Sequence, residues 1–359
     1  MDRRWAMILA LAAILAIQDT SRISEAQTIL SQLVESYGVS GMEAPVRATV
    51  QRLLPSWARA ETDTAGNLWV RAGQGDGGGP VVIVAHLDEI GFRVDTINPD
   101  GTLGLRNRGG FIQSLFEAKP ALIHTGGGDI PGIFLPGDTG LTRRTPPPLR
   151  VSVGATTRAG AESLGVKLGQ TITMPKQYVR LAGTRATGRS FDDRMGCAAL
   201  ILALRRLDRS KLKHAVIFLF STREEIGLEG AAAAARQLGT TTRRVHAIDT
   251  FVSADSPLEL QNFAVAKLGA GAVARALDNS SITPPAYVDS LAEIARARGI
   301  ALQIGTTNGG NDGSTFVPFG VVDVPLGWPL RYSHSPVEVV DLKDLVSLAD
   351  IVRAVAEDW

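Results

Sequence analysis

Apolar residues recur at helical spacing from Glu25 to about Leu54, with a break at the glycine-containing segment 38–41. Apolar side chains spaced three and four residues apart fall on one face of a helix, and a segment with two glycines favours a turn. The pattern therefore predicts two helices joined by a turn near the start of the chain.

The pattern then changes to short apolar runs. Residues 67–71 precede a glycine-rich segment, 73–79, and the uninterrupted apolar run 81–85 follows it. Short apolar runs separated by glycines are typical of strands, so this part of the chain predicts a β-hairpin whose second strand is buried. The glycines are not followed by lysine and Ser or Thr in the order that a phosphate-binding loop requires, so nucleotide binding has no support here.

Two different sequence patterns follow along the rest of the chain. From about Glu89 to Thr187, short apolar stretches alternate with glycine and proline, which predicts a small β domain. From Asp193 onward, alanine- and leucine-rich helical segments alternate with the apolar runs 215–220 and 245–248. Such alternation is typical of helices packed on a sheet. The predicted fold class is α/β, a mostly parallel sheet flanked by helices, with an inserted small β-barrel-like domain.

The first residues have the pattern of a targeting segment. Arg3 and Arg4 precede an apolar run, Trp5 to Ile17, which is short for a membrane span. We therefore predict that residues 1–26 are a signal peptide or N-terminal anchor and that the protein is secreted or associated with the periplasm or envelope. Residues 24–26 have the small-x-small form of a cleavage site but lie far beyond the apolar run, so an uncleaved anchor and an ordinary first helix remain alternatives.

Composition excludes some classes of partner and site. The 37 Lys and Arg residues almost cancel the 36 Asp and Glu residues, so bulk charge does not favour nucleic acid or an anionic surface. The single cysteine, Cys197, cannot form an internal disulfide and lies in an apolar helical stretch, where a buried side chain without a catalytic role is expected. His124, His214 and His246 are predicted to be surface or core residues.

Side chains that could bind a metal follow three of the predicted strands. The carboxyl ends of neighbouring parallel strands meet at one edge of a sheet, so groups that follow them can converge although they are distant in sequence. Imidazole and carboxylate groups brought together in this way are ligands for a divalent metal. The residues concerned are His86 and Asp88 after the first strand, Glu224 and Glu225 after the second, and Asp249 after the third.

Each of these elements is weak when it is taken alone. An adjacent pair of carboxylates, such as 224–225 or 192–193, is more often a solvated helix start, because acidic residues are favoured near helix N-termini. The pair His86 and Asp88 carries more information. Alternate residues of an extended chain point to the same side, and a carboxylate can orient a metal-bound imidazole.

Five motifs occur in an order that is far more specific than any one of them. They are Ala85-His-Leu-Asp-Glu-Ile-Gly-Phe92, Ser190-Phe-Asp-Asp-Arg-Met-Gly-Cys197, Ser221-Thr-Arg-Glu-Glu-Ile-Gly-Leu-Glu-Gly-Ala231, Ala247-Ile-Asp249 and Arg331-Tyr-Ser-His-Ser-Pro-Val-Glu338. In order and spacing the chain resembles the tetrahedral and glutamyl aminopeptidases, metallopeptidase family forty-two. The resemblance implies an α/β sandwich of the zinc-peptidase type, with residues 27–88 and 188–359 as the catalytic domain and residues 89–187 as an inserted dimerisation domain.

The resemblance also implies a role for each site residue. Two divalent metal ions are expected, with zinc favoured and cobalt or manganese as alternatives. Asp192 would bridge the two ions, His86 and Asp249 would complete one site, and Glu225 and His334 the other. Glu224 would be the catalytic base, and Asp88 would orient His86.

These roles predict a dinuclear aminopeptidase that acts on peptides with a free N-terminus. A homo-oligomer, from dimer to dodecamer, is implied by the resemblance alone. The segment Asn308 to Ser314 keeps the glycines and the aspartate of the family, Asp312, but has Asn311 where threonine is usual, which leaves the preferred N-terminal residue open. The alternatives are a related metal-dependent deacylase or carboxypeptidase and a catalytically silent exported scaffold.

Overall fold

The computed structural model describes residues 3–137, 148–252, 255 and 266–359, with side chains described from residue 19 onward. Helices α1 (Arg3–Val34) and α2 (Ala44–Leu53) are joined by a turn, which confirms the two helices predicted from the apolar spacing. Helix α1 runs without interruption through residue 26, the predicted end of the leader.

The part of α1 that precedes residue 27 packs on the α/β domain. Ala26 is completely buried, Arg22 forms an ion pair with Asp350, and Glu25 accepts a hydrogen bond of 2.7 Å from Arg206. Within the described part of the chain, no helix combines the length and the apolar character that crossing a bilayer requires. Export of the chain stays a prediction.

The α/β part of the chain is built on an eight-stranded sheet in which most neighbouring strands are parallel. Its spatial order is β1, β2, β12, β3, β13, β16, β14, β15. These strands are β1 (Ala60–Thr62), β2 (Leu68–Ala72), β3 (Val81–His86), β12 (Val216–Ser221), β13 (Arg244–Val252), β14 (Ala272–Leu277), β15 (Leu302–Thr306) and β16 (Leu326–Leu330). The pairs β12–β3, β3–β13 and β13–β16 are all parallel, so their carboxyl ends lie at one edge.

The predicted hairpin between residues 67–71 and 81–85 is wrong. Strand β12 lies between β2 and β3, antiparallel to the first and parallel to the second. Every residue of β3 is buried, so this strand needs a hydrogen-bonded neighbour on both sides, and the fully buried β12 and the largely buried β13 supply them. The glycine-rich segment is therefore a crossover past β12 and not a tight turn.

Helices cover both faces of the sheet. Alternate residues of β3 enter opposite cores, with Val81 and Ile83 on one side and Val82 and Val84 on the other. The first core is shared with α1, α2, α4 (Phe191–Arg206), α6 (Pro285–Arg298) and α7 (Leu342–Asp358), and the second with α5 (Glu229–Leu238) and the 3-10 helix Asp312–Phe319. Cys197 is a free, fully buried residue of the first core, as predicted.

A closed six-stranded barrel forms the inserted domain. Its order is β4, β5, β8, β7, β6, β9, and Phe92, Phe116 and Phe134 pack together at its centre. The barrel consists of β4 (Gly91–Ile97), β5 (Leu103–Arg108), β6 (Pro120–Thr125), β7 (Gly128–Phe134), β8 (Arg150–Ser152) and β9 (Thr171–Thr173), with the short helix α3 (Arg158–Ser163) beside it. The α/β fold with an inserted barrel-like domain is thus confirmed.

The chain then returns to the α/β part through a second small sheet. Strands β10 (Val179–Arg180) and β11 (Arg185–Gly188) are antiparallel, and β11 also pairs with β17 (Glu338–Asp341). The last segment of the predicted insertion therefore pairs with the α/β part of the chain.

A buried carboxylate fixes the point where the chain enters and leaves the barrel. Glu89 is completely buried, and its Oε2 lies 2.7 Å from Lys176 Nζ and 2.5 Å from Arg189 Nη2. Ser190, the residue before α4, donates a hydrogen bond to the same oxygen. Two strand connections and the start of α4 are consequently held together at one ion cluster, next to the residues considered below.

Candidate metal centre

The sequence-predicted side chains lie at the carboxyl edge of the sheet. His86 is the last residue of β3, Glu224 and Glu225 lie in the turn that follows β12, and Asp249 lies in β13. Because β12, β3 and β13 are neighbours and parallel, the three chain segments meet there. Asp192 joins them from the first turn of α4, and His334 joins them from the loop after β16. His86 contacts Asp192, and His334 contacts both Asp192 and Glu225.

The carboxylate of Asp192 stands between the two imidazoles. Its Oδ1 lies 2.9 Å from Nε2 of His86, and its Oδ2 lies 3.2 Å from Nε2 of His334. Nε2 of His334 is also 3.3 Å from Oε2 of Glu225. One ligand atom from each of His86, Asp192 and Glu225 lies within 4.8 Å of the others, which is close enough for these groups to hold metal.

In both imidazoles Nδ1 contacts a backbone carbonyl oxygen, and Nε2 points toward the carboxylates. Nδ1 of His334 donates to the carbonyl oxygen of Gly110 at 2.6 Å, and Nδ1 of His86 lies 3.2 Å from the carbonyl oxygen of Asp88. A hydrogen bond at one ring nitrogen fixes the tautomer and the ring orientation of a metal ligand. Gly110 follows β5 of the barrel, so the inserted domain supplies part of this support.

Asp88 holds the two glutamates in place as well as lying beside His86. Its Oδ1 accepts the backbone N–H of Glu224 at 2.9 Å, and its Oδ2 accepts the N–H of Glu225 at 3.2 Å. Ser40 donates its hydroxyl to the same Oδ2 at 2.6 Å. The carboxylate is completely buried, so these three donors and His86 account for its solvation.

Asp249 reaches the same cavity from another side. A cavity of about 340 Å³ is lined by Asp249, Asp192, Glu224 and His334. Oδ2 of Asp249 lies 3.1 Å from Nη1 of Arg275, whose side chain is almost completely buried. Asp249 therefore faces the predicted metal centre, although its carboxylate is not among the three groups that lie within mutual ligand distance.

Arg275 connects Asp249 to the segment where the sequence departs from the resembling family. Nη2 of Arg275 lies 2.9 Å from Asp278 Oδ2, and that oxygen accepts a 2.8 Å hydrogen bond from the side-chain amide of Asn311. Asn311 also accepts from the backbone N–H of Gly313. The side chain of Asn311 thus has both a donor and an acceptor partner in the protein. Arg275 links it to the site through Asp278 and Asp249. No sequence pattern indicated this arginine.

Burial and repulsion between carboxylates raise the pKa values of both glutamates at the site. Burial raises the pKa of Glu224 well above its usual range, and the carboxylates of Asp249 and Glu225 raise it further. Burial, with the nearby Asp192, also raises the pKa of Glu225 to about 8 despite the opposing effect of His334. These carboxyl groups retain protons at pH values where an exposed glutamate has lost its own.

The same carboxylates also raise the pKa values of the two imidazoles. The Glu225 carboxylate raises the pKa of His334 well above its usual range, and the hydrogen bond to Asp192 adds to this effect. Burial lowers the pKa of His86, but the carboxylates of Glu224 and Asp192 outweigh it and raise the value. A cation bound among these groups would replace the protons that they otherwise retain.

The donor set fits a divalent cation. Two imidazole nitrogens and several carboxylate oxygens are the mixed ligands that zinc, cobalt and manganese accept. Oε1 of Glu225 is buried and has no hydrogen-bond donor among the described residues, which is the state expected of a ligand atom considered without its metal.

Replacing Asp88 by asparagine is expected to weaken metal binding by about 10- to 100-fold, the usual effect of losing a partner that orients a ligand. The amide would keep one acceptor oxygen for the two backbone N–H groups of Glu224 and Glu225. Its own N–H₂ would face one of these two donors without accepting from it. Competition with a chromophoric chelator measures the affinity. Ser40→Ala, which removes one donor and leaves the carboxylate, is the matched control with a smaller expected loss, and wild-type affinity in Asp88→Asn would contradict the assignment.

Three histidines lie outside this centre, as predicted. His124 contacts Asp129 in the barrel at 2.8 Å, and His214 contacts Asp76 at 2.7 Å on the surface. His246 is completely buried in β13, where burial lowers its pKa to about 3. Each has a local structural partner and none approaches the predicted ligands.

Comparison with known proteins identifies the family. A model of the M42 glutamyl aminopeptidase family matches residues 66–351, a span that contains every predicted ligand and Glu224. The chain belongs to this family. It is an aminopeptidase, and therefore a peptide hydrolase, of a metal-dependent type.

The chain is similar to aminopeptidases that are named after different residues. The chain is 28% identical to a lysyl aminopeptidase of Pyrococcus furiosus over 353 residues, covering 92% of this chain and 96% of the relative. It is 25% identical to a glutamyl aminopeptidase of Lactococcus lactis over 340 residues, covering 90% of this chain and 93% of the relative.

Solved structures of the family have the same fold. The TET1 peptidase of Pyrococcus horikoshii is 32% identical and superposes with a TM-score of 0.84 over 94% of this chain and 100% of its own. An aminopeptidase of Desulfurococcus kamchatkensis is 27% identical, with a TM-score of 0.87 over 94% and 96% of the two chains. These likenesses confirm the resemblance to the tetrahedral and glutamyl aminopeptidases.

Proposed function

We propose that this aminopeptidase is dinuclear and that Asp192 bridges its two metal ions. The observation that supports this most directly is the position of the Asp192 carboxylate, one oxygen of which faces His86 and the other His334. One ion would be held by His86, Asp192 and Asp249, and the other by Asp192, Glu225 and His334. Zinc is the ion that we favour, and cobalt and manganese suit the same ligands.

Glu224 is the proposed general base. Its carboxylate lines the cavity and its Oε2 lies 3.9 Å from Nε2 of His86, yet the ligand assignment leaves it free. Burial raises the pKa of Glu224, so this carboxylate is a stronger proton acceptor than that of an exposed glutamate.

The proton path follows from this position. Bound divalent cations supply polarisation of the scissile carbonyl and activation of water. Glu224 takes the proton of the attacking water and passes it to the leaving amine as the C–N bond breaks. Asp88 keeps Glu224 at the required place through the hydrogen bond to its backbone N–H.

The cavity is also suited to a free α-amino group. Asp192, Glu224 and Asp249 give it an acidic lining, and the charge of Arg275 is already opposed by Asp249 and Asp278. A free α-amine offers its lone pair to a divalent cation held there and N–H donors to the carboxylate oxygens, whereas the lone pair of an N-acylated nitrogen is delocalised into its amide. This supports removal of N-terminal residues over hydrolysis of blocked amides.

The decisive experiment is hydrolysis of a panel of aminoacyl chromogenic substrates by the metal-stripped chain, with and without zinc, cobalt or manganese. We expect metal to restore cleavage of free-amine substrates and to leave their N-acetyl counterparts at least about 100-fold poorer, because a site that binds an amine rejects an analogue without it. Equal cleavage of both series would identify a deacylase instead. Metal binding without any turnover would identify a catalytically silent scaffold.

We also propose that the chain forms a homo-oligomer outside the cytoplasm. The TET1 peptidase of Pyrococcus horikoshii assembles into a tetrahedron or a large octahedral shell, which supports assembly here. The arginines and apolar run of the first residues support export. Light scattering of the purified chain tests the proposed assembly, because a monomeric mass would contradict it. Fractionation of cells tests the proposed export, because recovery in the cytoplasm alone would contradict it.

A further inference from the structure

Four successive backbone N–H groups in the turn after β12, those of residues 222–225, donate to side-chain oxygens. We call these four residues the catalytic turn, because it carries the proposed base and a proposed ligand. Asp88 accepts the last two N–H groups, as described above. Asn67 accepts the first at 3.0 Å, and Oε1 of Glu43 accepts the second, that of Arg223, at 3.2 Å. Backbone N–H groups that are shielded from water need such acceptors, so these three side chains determine the path of the turn.

Glu43 reaches the catalytic turn from a distant part of the sequence. It is the residue directly before α2, and only 4% of it is exposed. The same Oε1 that accepts from the catalytic turn also accepts the N–H of Gly41 at 2.6 Å. One oxygen atom therefore ties the connection between α1 and α2 to the segment that bears the chemistry.

Arg223 is a position of the catalytic turn that needs support. Its φ is 55°, in the left-handed region that residues with a Cβ rarely adopt. Such a conformation persists only where the surrounding structure holds it. The guanidinium group is held by Glu229 and by the carbonyl oxygen of Ala65, and the backbone N–H is held by Glu43. This last bond acts on the main chain directly before Glu224.

We propose that Glu43 is a positioning residue for the aminopeptidase reaction. Through the N–H of Arg223 it holds the catalytic turn in the conformation that directs the carboxylate of Glu224 into the cavity. The inference rests on the proposed role of Glu224 as the general base. Because a backbone N–H is neutral, the role requires an acceptor oxygen at residue 43 and not a negative charge.

The test compares the kcat of Glu43→Met and Glu43→Gln at saturating metal. Methionine keeps the length of the side chain without its oxygens, and we expect kcat to fall by about 100-fold, the effect of misplacing a catalytic group by about 1 Å. Glutamine keeps one acceptor oxygen, which is all that the two hydrogen bonds use, and should recover most of this loss. Glu35→Met, at an exposed position just after α1, is the control and should have the kcat of the wild type.

A double substitution separates positioning of the base from a general loss of structure. If Glu43 acts through Glu224, adding Glu43→Met to Glu224→Gln should change kcat by less than about twofold, because the group that is positioned has already lost its function. A further loss of the full factor would show a structural defect and would overturn the proposal.

The single variants distinguish this proposal from the assignment of the base. Wild-type kcat in Glu43→Met, beside a strongly lowered kcat in Glu224→Gln, would overturn the role of Glu43 and leave the base in place. Wild-type kcat in Glu224→Gln would overturn both. Circular dichroism checks the fold of each variant. If Glu43→Met does not fold, Glu43→Asp replaces it, since aspartate keeps the charge but withdraws the acceptor oxygen by one methylene group, and wild-type kcat there would equally overturn the proposal.

Discussion

Glu224→Gln is expected to lower kcat by about 100- to 10,000-fold, the range that a positioned general acid or base contributes. Glutamine keeps the volume of the side chain but cannot take the proton of the attacking water. Because Glu224 is not a proposed ligand, the metal content should stay at the wild-type level, and KM should change much less than kcat. Steady-state kinetics with elemental analysis of the same preparation measures all three.

Glu229→Gln is the matched control for this prediction. Glu229 lies at the start of α5, a few residues after Glu224, and forms an ion pair with Arg223 on the exposed side of the same turn. The same chemical change there should leave kcat unaltered. Wild-type turnover in Glu224→Gln would show that another group accepts the proton.

Asp192→Asn is expected to remove most of the bound metal and, with it, the activity. The substitution takes away the charge that both His86 and His334 face, so both proposed sites lose a ligand at once. The loss of affinity should exceed the about 100-fold that follows from losing an outer partner of a ligand. Elemental analysis after dialysis gives the number of ions per subunit.

The fold of Asp192→Asn must be checked in parallel, because Asp192 is buried. Circular dichroism of the variant in the absence of metal should match that of the metal-stripped wild type. Asp208→Asn, on the exposed connection after α4, controls for the change of residue type. Two ions per subunit in a folded Asp192→Asn would refute the bridging assignment.

The convergence of His86, Glu225 and Asp249 could be predicted from residues alone, because each follows or ends an apolar run and parallel strands bring such ends together. His334 and Asp192 could not be predicted in that way. One lies in a loop after β16 and the other at a helix start, and neither position has a local pattern that distinguishes a ligand from a solvated side chain. Only the order of the five motifs indicated them.

The errors and omissions have a common physical origin, since they concern contacts between distant parts of the chain. Apolar character showed that residues 81–85 form a buried strand, but pairing with β12, which comes much later, cannot be read from a local pattern. Arg275 had no motif around it. The carbonyl oxygen of Gly110 has no side-chain signature at all, because every residue carries the same acceptor.

Under the proposed ligand assignment, that carbonyl makes the barrel a participant in metal binding. His334 takes the orientation that exposes Nε2 by donating to Gly110, and the exposed apolar side chains of Ile112 and Leu115 follow Gly110 along the same segment. Thermodynamic linkage between two binding events is reciprocal. A subunit or ligand that orders this segment and so tightens the metal site must therefore itself be bound more tightly, by the same factor, once the metal is in place.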